Sequence, residues 1–312
     1  MNKYRIKKIV LIVITVFGVG LVATGSYAWN MFTSAITNIQ EEIDNNEREK
    51  RLEQINLAEG DPITILLMGI DEPEDEGDPY QRSDTLIFLT LNPQTQSTHM
   101  VSIPRDTYTD IVGHGKKDKI NHSYAFGGTD MTLRTVENFL DVPVDYFIRM
   151  NMNGFEDLVN AVGGIEVDND FKFKYKGVTY EEGPIHLDGY EALHYSRMRK
   201  QDPRGDFGRN ERQREVIQAI VDKGTTMTGI TSSISNFGEI IGVIEDNVRT
   251  NLSLENMWDI QSNYQDALNN VVEHEISGTE TEINETYYFM ADEEEVKNIS
   301  EELKKQLDKQ SK

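Results

Sequence analysis

Between Tyr195 and Arg214 the chain reads YSRMRKQDPRGDFGRNERQR, seven basic residues against three acidic ones in a sequence of net charge -23. Six of the seven are arginines, Arg197, Arg199, Arg204, Arg209, Arg212 and Arg214, with Lys200 the one lysine. A guanidinium offers a planar fork of N–H donors that matches phosphate oxygens two at a time, so this composition points to phosphate or pyrophosphate more than to a diffuse polyanion. Read in isolation, the run is a helix face laced with solvated ion pairs, because Asp202, Asp206 and Glu211 stand among the arginines. A second charged group, far earlier in the chain, shifts the balance toward chemistry.

That group begins with Asp71 and Asp84, thirteen residues apart across the acid- and glycine-rich loop EPEDEGDPYQ. Carboxylates of this kind suit magnesium, which takes one or two of them and completes its shell with water and substrate phosphate. Taken singly, Asp71 is a turn cap and the loop acids merely solvate. Arg82 and Arg105 change that reading, since a metal with a set of arginines is what phosphoryl transfer requires: its loose transition state is helped by positioning and charge stabilisation. Other catalytic patterns are missing: the sequence has no GxSxG elbow, Walker loop, HExxH or dinucleotide glycine pattern. His114, His122, His186 and His194 follow no ligand spacing, and His194 beside Leu193 reads as a packed or surface histidine. Gly127-Gly128 and Gly163-Gly164 read as turns.

The elements that must position these residues follow from hydrophobic pattern. Ile63 to Met68, Thr85 to Leu91 and Thr98 to Ile103 are apolar runs of strand type, with Asn92-Pro93-Gln94-Thr95 a tight turn between the last two. An antiparallel meander of the three brings Asp71, Arg82 with Asp84, and Arg105 with Asp106 to one sheet edge. A helix over 130–140, a strand from Val144 to Met150, a helix from Asn153 to Val162 and a strand from Ile165 to Val167 come next. Asp188 caps a helix running toward Tyr195, and Gly208 opens another reaching Lys223, in which Arg209 and Gln213 share a face. Helices are expected near 231–245, 253–268 and 292–309, and a strand from Thr286 to Phe289 that adds to the sheet. The fold class is α/β, an α+β sandwich with a central mixed sheet flanked by helices.

The amino terminus places this domain. Lys3, Arg5, Lys7 and Lys8 precede an uncharged run from Ile9 to Trp29, and about 20 such residues in a helix cross a bilayer. The positive-inside rule then assigns 1–8 to a cytoplasmic tail, 9–29 to a transmembrane helix, 30–60 to a juxtamembrane stalk and 61–312 to an extracellular catalytic domain with a motif-bearing core at 61–224. Ser26-Tyr27-Ala28 resembles a cleavage site, but the spanning length and the stalk favour a single-pass, membrane-retained anchor. The chain has no cysteine, which excludes disulfides, thiolate metal sites and cysteine nucleophiles. Its acidic balance argues against a nucleic-acid partner, which needs a net-positive face.

With these residues in view, the chain resembles the LytR-CpsA-Psr family, enzymes that attach anionic polymers to the bacterial cell wall. The matching motifs are LLMGID (66–71), RSDTLI (82–87), SIPRDTY (102–108), KINHSYAFGG (119–128), TVENFL (135–140), VDYFIRMN (144–151), LVNAVGGIEV (158–167), LDGYEALHYSRMR (187–199) and DFGRNERQREVIQAI (206–220). TNLSL (250–254) and YYFMADEEEVKNIS (287–300) match less specifically. The resemblance implies an LCP-type fold and a polyprenyl-pyrophosphate site, with Asp71 and Asp84 holding magnesium or another divalent ion. It implies that Arg82, Arg105, Arg197, Arg199 and Arg209, with Gln213, surround the phosphates and that Asp206 positions this arginine set; Lys119 and Arg212 belong to matching motifs, with Lys119 added to the pyrophosphate group. Phe88, Phe139, Phe147 and Ile148 are candidates for an apolar tunnel, and read as ordinary core.

The implied reaction moves a glycopolymer, with wall teichoic acid the leading choice, from undecaprenyl pyrophosphate to a peptidoglycan sugar hydroxyl and releases undecaprenyl phosphate. Arg105, Asp71 and Asp84 are the catalytic candidates; no residue stands out as a general base, Asp71, Asp84 and Asp206 are the carboxylates available for it, and a loose transition state asks little of one. Two alternatives stay open at this point: a hydrolase that gives the lipid pyrophosphate to water, and an anchored protein that binds or regulates lipid intermediates without chemistry. The arginine run thus becomes half of an expected site, with Lys200, Arg204 and Arg214 as solvated charge.

Overall fold

The structure is a computed structural model, and it describes residues 26–43, 51, 55–71, 81–227 and 234–308. Its helices are α1 (Ser26–Ile39), α2 (His122–Leu140), α3 (Met152–Ala161), α4 (Gly189–Arg197), α5 (Asp206–Met227), α6 (Ile234–Asn247), α7 (Leu254–Asn263) and α8 (Glu293–Leu307). The strands through residue 151 are β1 (Ile63–Asp71), β2 (Arg82–Asn92), β3 (Ser97–Ser102), β4 (Tyr108–Ile111), β5 (Lys116–Lys119) and β6 (Tyr146–Asn151). Then come β7 (Ile165–Asn169), β8 (Phe173–Tyr175), β9 (Val178–Tyr180), β10 (Gly183–Leu187), β11 (Val248–Thr250), β12 (Asn270–Glu275), β13 (Gly278–Ile283) and β14 (Thr286–Ala291). They form two compact units: a sheet unit of Gln40–Asn151 with Arg249–Lys312, and a helical unit of the described residues through Ile39 with Met152–Val248.

In the sheet unit a six-stranded mixed sheet runs in the order β11-β6-β1-β2-β3-β12. The expected meander is there: β2 pairs antiparallel with both β1 and β3, while β6 and β12 pair in parallel with β1 and β3. One sheet face supplies side chains at every second position, Leu66, Met68 and Ile70, then Leu86 and Phe88, then Val101 and Ile103. Leu133, Val136 and Leu140 of α2 and Ile299 and Leu303 of α8, at helical spacing, close the core over that face. Phe88, Phe147 and Ile148 are buried and Phe139 packs against the same core. Glu137 is buried too, and its carboxylate accepts the Val144 backbone N–H at 2.8 Å where the chain leaves α2 for β6.

In the helical unit α3 packs on α4 and α6, α4 on α5, and α1 on α6. Asp188 and Glu191 form a reciprocal capping box at the start of α4, the Asp188 carboxylate accepting from Glu191 N–H at 2.9 Å and the Glu191 carboxylate from Asp188 N–H at 3.2 Å. Two glycines let neighbours close in. A Cβ on Gly189 would sit 2.2 Å from the Glu156 carbonyl oxygen, and one on Gly208 only 1.8 Å from Asp202 Oδ2.

Three sequence expectations change. The N-terminal transmembrane helix, residues 9–29, is not borne out: residues 1–25 lie outside the described residues, and no helix among the described residues is long and apolar enough to cross a membrane. Tyr27 and Trp29, at the end of the run read as a span, belong to α1. The single-pass topology with an extracellular domain loses its support with the helix. In the segment assigned to a stalk, Ala35, Ile36 and Ile39 are buried. Second, β14 does not add to the central sheet. It pairs with β13 in a separate hairpin whose two-residue turn, Asn284-Glu285, has both φ values positive, and β12 takes the sheet edge instead. Third, α2 begins at His122, earlier than expected, and the glycine pair at 127–128 is a kink within it.

Replacing Gly189 with alanine forces its Cβ onto backbone. The expected result is a loss of about 1–3 kcal/mol in urea unfolding with the fold retained.

Candidate functional site

A local irregularity arranges the charged edge of the sheet unit. In the β1–β2 ladder Gly69 faces Thr85, but Ile70 faces Ser83 and Asp71 faces Arg82, so Asp84 is an extra residue without a cross-strand partner. Such a bulge twists the strand and re-aims one side chain. Ser83 stays buried while Asp84 turns to the sheet edge, with its side chain 17% exposed. There Asp84 Oδ2 is ion-paired with Arg105 Nη1, and Asp84 Oδ1 accepts from Asn121 Nδ2 at 2.9 Å.

The network continues through the loop after β3. Arg105 Nε lies 3.7 Å from Asp106 Oδ2, and Lys119 Nζ lies 2.8 Å from Asp106 Oδ1. The Asn121 backbone N–H donates to the Arg105 carbonyl at 3.2 Å, and the Ile120 N–H to the Thr107 carbonyl at 2.8 Å, which ties the segment after β5 to the Arg105 loop. Lys119 also stands 5.7 and 5.8 Å from the ring centroids of Tyr287 and Tyr288. The structure therefore joins Asp84, Arg105 and Lys119 in one chain of contacts and sets Asp71 across from Arg82. Residues 72–80, the acidic loop between them, lie outside the described residues. Asn121 and Asp106 carry this network and were not among the expected site residues. Asn121 lay within the KINHSYAFGG motif, and Asp106 had been placed at the edge beside Arg105.

In the helical unit the arginine run divides into two kinds. Arg212 is buried: its guanidinium pairs with Asp202, donates to the Tyr195 carbonyl at 3.1 Å and to the Met198 carbonyl, and lies over the Phe173 and Tyr195 rings at 5.6 and 5.8 Å. Burial resists charging Asp202, but hydrogen bonds from Arg212 and the Arg204 N–H, with the charges of both arginines, hold its carboxyl below the usual range. Arg204 is half exposed and pairs with Glu211 and Asp170, as expected of solvated charge. Arg209 is buried near the start of α5, and Arg197 at the end of α4 and Arg199 just beyond it are partly exposed, as is Gln213 one turn after Arg209. Asp206 is the first residue of α5.

A carboxylate that the sequence did not single out lies on the same helix. Burial, reinforced by the negative charges of Glu211 and Asp170 and opposed by the Tyr195 hydroxyl and Arg212, pushes the Glu215 carboxyl up to about 7. Tyr195 Oη donates to it at 3.1 Å. Between the ordinary carboxylate value and about 7 the folded state holds a proton that the unfolded state has lost, so stability is greatest below that window and falls as pH rises through it. Thermal melts from pH 5 to 8 should show this decline in wild type and a flatter profile in Glu215→Gln.

The Asp71 and Asp84 carboxylates supply the hard oxygen donors a divalent cation such as magnesium takes, and each Asp84 oxygen has a second lone-pair direction beyond the donor it already accepts. Among the described residues, the cluster of three whose ligand atoms converge for a metal is a different one, His99, His274 and Glu302. Burial pushes His99 down to about 4, with His274 adding to the effect and Glu302 opposing it, and burial lowers His274 as well.

Comparison with known proteins gives a consistent result. The LytR_cpsA_psr family model matches residues 26–305. The polyisoprenyl-teichoic acid--peptidoglycan teichoic acid transferase TagU of Bacillus subtilis (strain 168) is 51% identical over 314 residues, covering 99% of each chain. The protein of the same name from Bacillus licheniformis is 52% identical over 307 residues, covering 97% of each. The crystal structure of B. subtilis TagU, at 52% identity, superposes with a TM-score of 0.62 over 80% of this chain and 99% of that one. A structure of TagT bound to LIIa-WTA, at 32% identity, superposes with a TM-score of 0.68 over 86% of this chain and 99% of the other.

Proposed function

The chain belongs to the LytR-CpsA-Psr family, and from that membership we propose that it is a phosphotransferase that moves wall teichoic acid from an undecaprenyl-pyrophosphate carrier to a peptidoglycan sugar hydroxyl. The observation that carries the reading to named residues is the Asp84 bulge, which holds a carboxylate against Arg105 at an edge shared with Arg82 and Asp71.

In this reaction the acceptor oxygen forms a bond to the phosphorus that bears the polymer. The bond from that phosphorus to the bridging oxygen of the pyrophosphate breaks, and its electron pair leaves on undecaprenyl phosphate. The hydroxyl proton is lost to solvent or to a carboxylate. Arg105 and Arg82 supply guanidinium donors for the phosphate oxygens as charge builds on them, and Lys119, held by Asp106, adds a fixed positive charge. Asn121 and Asp84 keep Arg105 from swinging away, which conserves the orientation that positioning catalysis depends on. Asp71 and Asp84 would hold magnesium, which supplies charge neutralisation on the pyrophosphate when bound.

On the helical unit, Arg197, Arg199, Arg209 and Gln213 take phosphate oxygens in the same proposal, and Asp206 positions the arginines. Their support is donor chemistry and the family motif. Arg212 is assigned a structural role, since its donors are spent on Asp202 and two carbonyls.

The test is reconstitution with lipid-linked polymer, with and without peptidoglycan. Transfer should depend on the acceptor, stop with a chelator and resume with magnesium. Arg105→Ala should fall about 10²–10³-fold in rate, with its melting temperature close to wild type. Lipid phosphate release at full rate without peptidoglycan would identify a hydrolase, and wild-type transfer by Arg105→Ala would remove Arg105 from the catalytic set.

A further inference from the structure

Away from the acid–arginine edge, His99 on β3, His274 on β12 and Glu302 on α8 bring one ligand atom each within 4.8 Å of one another. Sheet register and helix spacing make the meeting obligatory. On the parallel β3–β12 ladder His99 faces Val272, so His274, two residues on, projects from the same sheet face. That is the face of Val101 and Ile103, which Ile299 and Leu303 of α8 cover. Glu302 and Gln306, four apart on α8, share one flank of the helix above the two imidazoles.

The hydrogen bonds of the metal-free cluster match one arrangement of protons. Gln306 Oε1 accepts from the Thr95 hydroxyl at 2.9 Å and the Ser97 hydroxyl at 3.3 Å, which turns its NH₂ toward His99 Nε2 at 2.8 Å. His99 Nε2 is then the acceptor and Nδ1 carries the hydrogen, shared with His274 Nε2 at 2.8 Å. The remaining N–H of His274, on Nδ1, faces Glu302 Oε2 at 3.7 Å. A single proton thus lies between the two imidazole nitrogens.

We propose that a divalent transition-metal ion of the zinc class replaces that proton, bound by His99 Nδ1, His274 Nε2 and the Glu302 carboxylate, with water completing a tetrahedral shell. The donor set is one that zinc favours, and its two nitrogens disfavour magnesium and calcium. With Zn–N bonds of about 2.0–2.1 Å, neighbouring ligand atoms in a tetrahedral site stand about 3.3 Å apart. The imidazole nitrogens need only separate by about half an ångström from their 2.8 Å contact to admit the ion. Glu302, with its side chain 54% exposed, has the freedom to swing onto the metal and leaves a path for its entry.

Gln306 adapts to the loaded state by rotating its amide. Its Oε1 then accepts the Nε2–H that His99 gains, and its NH₂ donates to the Thr95 and Ser97 hydroxyls, which accept as readily as they donate. A carbonyl on the far nitrogen of a ligating histidine is the usual outer support of such a site. The ion ties α8 and the outermost strand β12 to the rest of the sheet, so its effect is on stability, separate from magnesium-dependent transfer.

The experiment uses the whole protein, stripped with a chelator and titrated with zinc(II) or cobalt(II) and, as a control, magnesium. Zinc should bind one equivalent and raise the melting temperature increasingly with concentration, cobalt should give the intense visible bands of a tetrahedral site, and magnesium should do neither. His274→Gln should abolish the cobalt spectrum, and Glu302→Gln, at an exposed position that does not threaten folding, should weaken zinc at least tenfold. Absence of a cobalt spectrum in the wild type, or zinc binding unchanged in both variants, overturns the assignment. Either result leaves the transferase reading intact, since that reading is measured by transfer.

Discussion

At the bulge between β1 and β2, Asp84 has no residue opposite it, and the alternation of side chains along β2 changes phase there. Without the extra residue, strict alternation would extend the apolar pattern of Leu86 and Phe88 through position 84, onto the core face. The bulge allows Ser83 to take the buried place and Asp84 to leave it, at the cost of one unpaired position in the ladder. From this follow the Arg105 pair, the Asn121 contact and, through Asp106, the position of Lys119. The strands of the meander supply rigidity, and the bulge decides which side chain that rigidity holds at the edge.

The arginine run of the helical unit shows how residues of one type are divided by burial. Arg212 satisfies Asp202 and two carbonyls inside the unit, beside an aromatic group in which Phe173 stacks on Tyr180 and Tyr195 with ring centroids 4.6 and 5.8 Å apart. A buried ion pair of this sort gives little net stability, but leaving Asp202 without its partner would be costly. Gly208 belongs to the same arrangement, because only a residue without a side chain lets α5 begin against Asp202. The motif around DFGRNERQR therefore encodes packing beside the phosphate contacts proposed for it, and a basic run cannot be read as a uniform ligand surface.

How much of this was legible depended on the range over which each signal acts. The three strands of the meander, the Asp188 cap and the helices around 234–247, 254–263 and 293–307 follow from local periodicity and capping, and the sequence reading found them. The convergence of Arg105 with Asp84 followed from strand order, whereas the bulge that aims Asp84 did not: Gly69 stands at it on β1, but a glycine after an apolar run reads equally as the end of a strand. The β13–β14 hairpin was missed because its turn is Asn284-Glu285, without the usual glycine. Length and charge alone assign the amino-terminal run to a membrane span, whereas no helix among the described residues is long and apolar enough to cross a membrane. His99 and His274 were invisible for another reason: 175 residues separate them, and only the parallel pairing of β3 and β12 makes them neighbours.

The central claim is that the edge built by the Asp84 bulge holds the pyrophosphate of a lipid-linked polymer. A crystal structure of this chain with a polyprenyl pyrophosphate and manganese in place of magnesium tests it most directly, because the metal can be located by its anomalous signal. Manganese is expected against the carboxylates of Asp71 and Asp84, with phosphate oxygens in hydrogen-bond contact with Arg105. A pyrophosphate bound with no phosphate oxygen in contact with Arg105, or a metal peak away from both aspartates, would contradict it.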